Sequence, residues 1–506
     1  MSSIDRLTFG VIIALGLVVR IVPVLSAAGA VGDGGLFYSM IDDIRAAGMS
    51  VPPTTSYNEL EIPFVYPPLA LLSAAAIGQI SGAETLDVLR WLPLLVSVLT
   101  VVAFAWLARA VLAPTAALAA TFIYALMPHA YDWVIAGGGV TRGVGLLFAL
   151  LAMAVAADRS RTSFRTAVVS GLMLGLAGLS HPQAAAFGAI GCLVLSCRPP
   201  ASFWLRQTGI AVVSAGLVVL PWLVGVISTH GTDALLSAAH RLDPDTGLIR
   251  LLSLRFSGAP FMDVFAVAGV VGLVVSLARR QPRLAVFLLL TYLTGAGGGE
   301  FLGAVPWALL GGVGGAAVIA LAVSATSDAR RAQRRAIQVG LGALVLFLAL
   351  AGSLGSYVDG SSKLQALSAD QLAAMRWVSD NTDVATGVIV TTGDVWGDDE
   401  QTEWFPALAR RHSLGTVQGA EWLGIEGYER QLTYHALIRN CDGSKVDCYT
   451  QIDRHALIFI PKGQLTGPYS PGDCCPAIRS TTLSEGYRAI YDGPGATVLQ
   501  PVSADQ

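Results

Sequence analysis

The sequence predicts a polytopic α-helical membrane protein of about eleven spanning helices, ending in an extracytoplasmic α/β domain. Three observations carry this reading. Charged residues are only 13% of the 506, about half the ~25% usual in soluble proteins, and mean hydropathy is +0.61. Long apolar runs recur from the N-terminus to about residue 357, each long enough or nearly so to cross the hydrocarbon layer. Beyond Tyr357 the composition turns ordinary, with nineteen acids and eleven basic residues in 359–506. A net charge of −3 and a pI near 6.2 leave no electrostatic footprint for nucleic acid.

The apolar runs lie at about 7–26, 90–112, 116–132, 142–157, 166–181, 183–197, 207–228, 261–278, 283–298, 303–324 and 336–357. The first reads as a signal anchor, because no small-residue cleavage site with a soluble chain behind it follows. With the N-terminus inside, the inner loops carry fourteen arginines against three acids, and the outer loops before 358 carry thirteen acids and six arginines. Basic residues concentrate on the cytoplasmic side of membrane proteins. The chain is therefore expected to be multi-pass in the plasma membrane, N-terminus cytoplasmic and tail outside.

One apolar segment, 67–80, must stay out of this count, since spanning it would place the arginine-rich loops at 158–165 and 279–283 outside. It is short for a span and reads as interfacial. The membrane unit is then 1–357, with a first outer loop at 27–89 and a second at 229–260. Within the first loop, 35–47 has an amphipathic helical pattern, with Leu36, Met40 and Ile44 opposite Asp42, Asp43 and Arg45.

In the tail, 358–506, Ser368 and Gln371 have capping-box spacing and open a helix through about Asp380. Strands are predicted at 385–392 and 456–461, and a hairpin over 487–500 broken at Asp492-Gly493-Pro494-Gly495. Cys441, Cys448, Cys474 and Cys475 suit two extracytoplasmic disulfides, with Cys474 and Cys475 each joined to Cys441 or Cys448 rather than to each other. The adjacent pair has the wrong spacing for the rival reading, a four-thiolate zinc site. Cys192 and Cys197, inside a span, read as packing residues.

Charge inside a bilayer is costly, and the spans are read as nearly free of it at mid-depth. Polar groups gather instead at the outer ends of separate helices: Asp33, Asp132, Arg142, His181, His230 and Glu300. They share one depth and could line one outward cavity; the alternative is that loops at a membrane surface are simply polar. Asp33, set in Gly32-Asp33-Gly34-Gly35, suits a base or metal ligand, or else the N-cap of the 35–47 helix. Gly137-Gly138-Gly139-Val140-Thr141-Arg142 opens a span, offering free N–H groups and an arginine fork to a phosphate; a tight interhelical turn is the other reading. Arg241, Arg250 and Arg255 could add positive charge from the second outer loop. His181-Pro182 and His230-Gly231 read as turns or as catalytic histidines. No zinc-protease, P-loop, Cys-x-x-Cys or nucleophile-elbow pattern occurs.

The arrangement resembles the C-type superfamily of integral-membrane glycosyltransferases, which includes protein O-mannosyltransferases and aminoarabinose transferases. The resemblance rests on an acid opening a long first loop, on Tyr66-Pro67-Pro68-Leu69, on Arg90 leading into the next helix, and on GGGVTRGVGLLF (137–148), LSHP (179–182), PWLVGVISTHG (221–231) and EWFPALARR (403–411). It implies a sugar carried on a polyprenyl phosphate and transferred outside to a glycan, lipid or protein acceptor, with membrane lipids as surroundings. It makes Asp33 the catalytic acid. Many members have a second acid beside it, where this chain has Gly34, and Asp132 is the candidate to supply that carboxylate. Asp33 is read as base in an inverting transfer, Arg142 as phosphate binder, and Asp132 as orienter or ligand of a divalent cation such as Mg or Mn. Tyr66, His181, His230, Arg255, Glu300 and Glu403 are candidate substrate contacts, with the lipid tail expected near the Tyr66 segment. The oligosaccharyltransferase tail motif WWDYG is absent. The competing classes are a secondary transporter, a lipid-linked glycan polymerase or ligase, and a membrane sensor or scaffold.

The sidedness is testable by cysteine labelling. An impermeant maleimide added to intact cells should label Asp233→Cys and leave Arg280→Cys unlabelled; the reverse pattern would invert the topology.

Overall fold

The computed structural model describes residues 3–158, 163–197, 199–239, 263–294, 300–325, 331–358, 364–391, 400–441, 447–463, 478–480 and 486–502. Its membrane-type helices and loop helices are α1 (Ser3–Ser26), α2 (Gly35–Ala46), α3 (Leu69–Ser81), α4 (Thr85–Val111), α5 (Pro114–Leu126), α6 (Asp132–Ile135), α7 (Gly139–Ala157), α8 (Phe164–Gly178), α9 (Pro182–Ser196), α10 (Ala201–His230), α11 (Asp233–Ala239), α12 (Val264–Ala278), α13 (Arg283–Leu293), α14 (Glu300–Ala325) and α15 (Arg331–Val358). The tail adds α16 (Ala369–Asn381), α17 (Glu400–Ala409), α18 (Gly424–Arg439) and α19 (Asp447–Ile452).

Each predicted span falls on one apolar helix: α1, α4, α5, α7 to α10, and α12 to α15. Among the described residues six of them, α1, α4, α7, α10, α14 and α15, are long and apolar enough to cross a membrane. The other five run 11 to 15 residues. Local chemistry sets their starts. Pro114 and Pro182 occupy first-turn positions, where a missing N–H costs nothing. Asp263 caps α12 by accepting from the Ala266 N–H at 2.8 Å.

Helices α12 and α14 pack backbone to backbone. A Cβ on Gly272 would lie 1.8 Å from the Leu310 carbonyl oxygen, and one on Gly314 would lie 2.1 Å from that of Ala268. Small residues permit this approach, the usual device for apolar helices that lack a hydrophobic drive between them. By contrast α10 and α15 are each only 11% buried over their most apolar window, leaving broad apolar faces for lipid.

Arg20 departs from the expectation of charge-free spans. It is fully buried in α1, donates to Ser97 at 3.0 Å, to the Gly16 carbonyl at 2.9 Å and to the Ala125 carbonyl, and stacks over the Tyr131 ring. Ala125 lies in the last turn of α5, where carbonyls lose their helical partners. Arg20 thus staples α1, α4 and α5.

The first loop folds into the predicted amphipathic helix α2, a short hairpin of β1 (Thr54–Thr55) and β2 (Ile62–Pro63), and α3. Helix α3 covers the apolar 67–80 segment and packs against α2, α4 and α7. The tail sheet comprises β3 (Val388–Val390), β4 (Leu457–Pro461), β5 (Tyr487–Asp492) and β6 (Ala496–Pro501), in the order β3-β4-β6-β5 with β3 parallel to β4. These match the predicted strands and the hairpin break, and the Ser368–Gln371 capping box is formed in both directions. Helix α17 was not foreseen, because it is buried on every side and a helix buried all round shows no amphipathic period.

Side chains alternate across the sheet, as strand geometry requires. Ile389, Ile458, Ile460 and Leu499 form one small core. Val388, Val390, Leu457, Phe459 and Val498 face the other way, into a core shared with Leu36, Met40, Ile44, Tyr57 and Phe64 of the first loop. Cys441 is disulfide-bonded. Cys474 and Cys475 lie outside the described residues, as does the side chain of Cys448 in α19. Cys192 and Cys197 are free thiols.

A polar latch supplements the shared core. Asn58, at φ 58°, a left-handed conformation that Asn tolerates, donates to the Ser413 carbonyl at 3.1 Å and accepts from the Ser413 N–H at 2.6 Å. The His412 ring meets the Asn58 carbonyl at 2.8 Å, and Tyr57 donates to the Glu403 carbonyl at 2.6 Å. Asn58→Ala strands two buried backbone groups of Ser413, each worth ~1–3 kcal/mol unsatisfied. A lower unfolding midpoint in nanodiscs is expected; an unchanged midpoint would show that the latch adds nothing to the apolar core.

Candidate functional site

Asp33 sits on a turn that only glycine permits. Gly32 has φ 60° and Gly34 φ 156°, conformations costly for residues with a Cβ. Gly34 is the N-cap of α2, and no side chain caps that helix by hydrogen bonding to it from the N-cap position, so Asp33 is not the cap. Its carboxylate reaches instead across to α7. Arg142 grips it with both terminal nitrogens, Nη1 to Oδ2 at 2.8 Å and Nη2 to Oδ1 at 2.6 Å. Each of the two side chains is 14% exposed. The guanidinium is aimed by its other contacts, an Nε donation to the Trp133 carbonyl at 2.9 Å and stacking over the Trp133 ring at 4.9 Å.

The glycine run before Arg142 serves close packing. The Gly137 N–H donates to the Val31 carbonyl and the Gly138 N–H to the Asp33 carbonyl, both at 2.8 Å, while the Gly139 N–H donates to Ala136. None of these three N–H groups is spare for a phosphate. A Cβ on Gly137 would lie 2.6 Å from the Asp33 carbonyl oxygen, and one on Gly138 2.8 Å from the Asp33 carboxylate. The tight-turn reading of this motif holds, and of its anion-binding elements only Arg142 stays available.

The tail closes the site. Trp404 of α17 donates its indole N–H to the Gly32 carbonyl at 2.8 Å. Its ring lies where a side chain at position 34 would go, 2.8 Å from a built Cβ. This explains why no second acid follows Asp33. The carboxylate that does meet the turn is Glu403, which accepts from the Gly34 N–H at 3.0 Å at the N-terminus of α2, a favourable place for an acid. Burial, and then the charge of Asp33, push the Glu403 carboxyl from an ordinary 4.5 up to about 8, against the opposing pull of the Gly34 N–H and Arg142.

Tyr66 is the next neighbour. Its hydroxyl lies 3.0 Å from that of Thr141, on the turn of α7 that carries Arg142. Phe37 and Trp422 meet its ring edge-on at 5.1 and 5.6 Å. Burial holds its phenol up at about 12, so it acts as a neutral hydrogen-bonding group.

The other sequence candidates divide. His181 caps α9, its Nδ1 accepting from the Ala184 N–H at 3.3 Å, which leaves the proton on Nε2. It lies beside Gly145, three residues along α7 from Arg142, and against Phe301. Asp132 begins α6 and is buried, and its charge acts on Arg20 and Tyr131. It therefore belongs to the Arg20 cluster, and the expectation that it supplies the second carboxylate beside Asp33 is corrected in favour of Glu403. His230 ends α10, and among the described residues no hydrogen bond joins it to Asp33 or Arg142. Glu300 opens α14 with its side chain outside the described residues, where Arg241, Arg250 and Arg255 also lie.

No group of three or more His, Cys, Asp or Glu that could hold a metal occurs among the described residues. Both Asp33 oxygens face a guanidinium, and Asp132 lies with Arg20. This donor set does not fit a divalent cation. Sequence reasoning gave no role to Thr141 or Arg20. Trp404 stood out beside Glu403 and Phe405 as an acceptor contact or a brace against the membrane helices, but nothing in the sequence shows what its ring covers.

A family model described as dolichyl-phosphate-mannose-protein mannosyltransferase matches residues 65–228, about a third of the chain. No curated protein matches. Among solved structures, the oligosaccharyltransferase AglB of Archaeoglobus fulgidus, in complex with an inhibitory peptide and a dolichol-phosphate, superposes with a TM-score of 0.54 at 14% identity, over 90% of this chain and 70% of AglB. ArnT of Cupriavidus metallidurans in the apo state gives 0.51 at 14%, over 98% of both chains. The arabinofuranosyltransferase AftD from Mycobacteria gives 0.54 at 15%, over 100% of this chain and 40% of AftD. The chain has the fold of the C-type membrane glycosyltransferases.

A carboxyl that holds its proton more tightly folded than unfolded favours folding at low pH. That contribution is lost as pH rises from about 4.5 to about 8. Glu403→Gln removes the loss. Its unfolding midpoint should exceed that of the wild type at pH 8, with the gap closing toward pH 5; parallel midpoints from pH 5 to 8 would contradict the shift.

Proposed function

We propose that this chain is a glycosyltransferase that moves a sugar from a polyprenyl-phosphate donor to an acceptor hydroxyl, with inversion, on the side of the membrane that carries the tail. Residues 1–357 form the transferase bundle and 358–506 the extracytoplasmic domain, in the plasma membrane with the N-terminus cytoplasmic. The observation that carries this is the Asp33–Arg142 ion pair, a carboxylate on the turn before α2 gripped by a guanidinium from α7, which suits a base beside a phosphate-binding cation. The family match over 65–228 and the dolichol-phosphate bound to the structurally similar AglB support the donor class.

The pair can serve both halves of the reaction. A carboxylate has about four lone-pair positions and a guanidinium five N–H donors. Two of Asp33's lone pairs are engaged with Arg142, which leaves others for the acceptor hydroxyl. Likewise Nη1 and Nη2 each keep a second N–H for the donor phosphate. Asp33 takes the hydroxyl proton as that oxygen bonds to the anomeric carbon, and the bond from that carbon to the phosphate oxygen breaks through an oxocarbenium-like state. The polyprenyl phosphate leaves as an anion, and Arg142 stabilises the charge that develops on it. Tyr66, bonded to Thr141 beside Arg142, and His181, packed on Gly145 of the same helix, are the proposed further contacts of donor or acceptor.

The test uses purified protein in nanodiscs with a panel of radiolabelled polyprenyl-phosphate sugars. Asp33→Asn should keep donor binding and lose ~10²–10⁴-fold in turnover. Arg142→Ala should weaken donor binding at least ten-fold. Binding of no donor by the wild type would remove the transferase reading.

A further inference from the structure

The tail takes no direct part in the proposed transfer, yet two side chains of its α17 hydrogen-bond the backbone of the Asp33 turn. Glu403 and Trp404 hold that turn from two sides. The Glu403 carboxylate takes the Gly34 N–H at 3.0 Å, and the Trp404 indole N–H binds the Gly32 carbonyl at 2.8 Å. Asp33 is the residue between those two bonded groups. The contact leaves no room for a side chain at position 35, since a Cβ on Gly35 would lie 2.3 Å from the Glu403 carbonyl oxygen. Tyr57 in turn fixes that carbonyl through its hydroxyl at 2.6 Å.

We propose that Glu403 is a positioning residue for Asp33: it clamps the glycine turn that presents the catalytic carboxylate to Arg142, so the tail domain completes the active site of the membrane bundle. This rests on the transferase reading above.

The charge state of the clamp has a consequence. The groups facing Glu403 are Asp33 from the first loop, Arg142 from α7, and the N–H groups of Gly34 and Gly35 at the start of α2. Tyr57 feels both Glu403 and Glu421. With Glu403 neutral, the charges of Asp33 and Arg142 balance. With Glu403 ionised, the site carries one net negative charge and repels an incoming phosphate. Burial and Asp33 hold its carboxyl up near 8, so donor affinity should fall as pH passes that value. Glutamine keeps an acceptor for the Gly34 N–H and cannot ionise; alanine keeps neither property.

Wild type, Glu403→Gln and Glu403→Ala are compared in nanodiscs from pH 6.5 to 9, using undecaprenyl phosphate for binding and the donor identified by the panel for turnover. The wild-type KM for donor should rise at least five-fold between pH 7 and 9, whereas that of Glu403→Gln stays flat. At pH 7, kcat of Glu403→Ala should fall at least ten-fold, and Glu403→Gln should recover most of that loss. A Glu403→Gln profile that rises like the wild type, or a Glu403→Ala kcat equal to the wild type, overturns the proposal. If no protein turns over any donor, the transferase reading fails separately, and amide exchange at Gly34 and Gly35 judges the clamp. Protection lost ten-fold in Glu403→Ala and kept in Glu403→Gln supports it; equal protection in all three overturns it.

Discussion

Arg142 can aim its guanidinium at Asp33 in only one direction, because its Nε is committed to the Trp133 carbonyl and its flat face to the Trp133 ring. Everything around it serves to bring Asp33 to that fixed fork. The partner comes from 109 residues earlier, on a turn whose backbone takes glycine conformations. The start of α7 is stripped of side chains at Gly137 and Gly138 to let the turn approach. An ion pair left with 14% of each side chain exposed loses hydration that good geometry has to restore, and the bidentate arrangement supplies it. A Lys at 142 would keep the charge but lose the fork.

The second constraint is that the first loop has no core of its own. Its helix α2 and hairpin bury Leu36, Met40, Ile44 and Tyr57 against tail residues such as Phe405 and Phe459. Sequence boundaries put the loop with the membrane helices and the tail apart, yet packing joins loop and tail above the bundle. Asn58 and Ser413 then fix their register through paired amide-type hydrogen bonds. Movement of the tail would therefore carry the Asp33 turn with it.

Arg20 shows a different use of buried charge. Its guanidinium satisfies a carbonyl left open where α5 ends before Pro128, and it collects Ser97 and the Tyr131 ring in the same place. Asp132 belongs to this cluster. The two acids that look equivalent in sequence, Asp33 and Asp132, are thus divided between a candidate catalytic pair and a structural staple.

The sequence by itself determined the apolar helices up to residue 357, because apolar runs of this length have few alternatives, and it determined the strands and the capping box of the tail through local pattern and turn chemistry. It also singled out Asp33, Arg142, Tyr66 and Glu403, since charge and glycine at helix ends are unusual enough to be visible. Only the tertiary structure decided who meets whom. The glycine run looked like a phosphate cradle, and its N–H groups proved to be spent on Val31, Asp33 and Ala136. The missing second acid looked like a task for Asp132, and Glu403 came to the turn from 369 residues further along the chain. The physical reason is that periodicity reports which face of an element is buried. Partnership between distant side chains depends on how helices cross, which one-dimensional pattern does not encode.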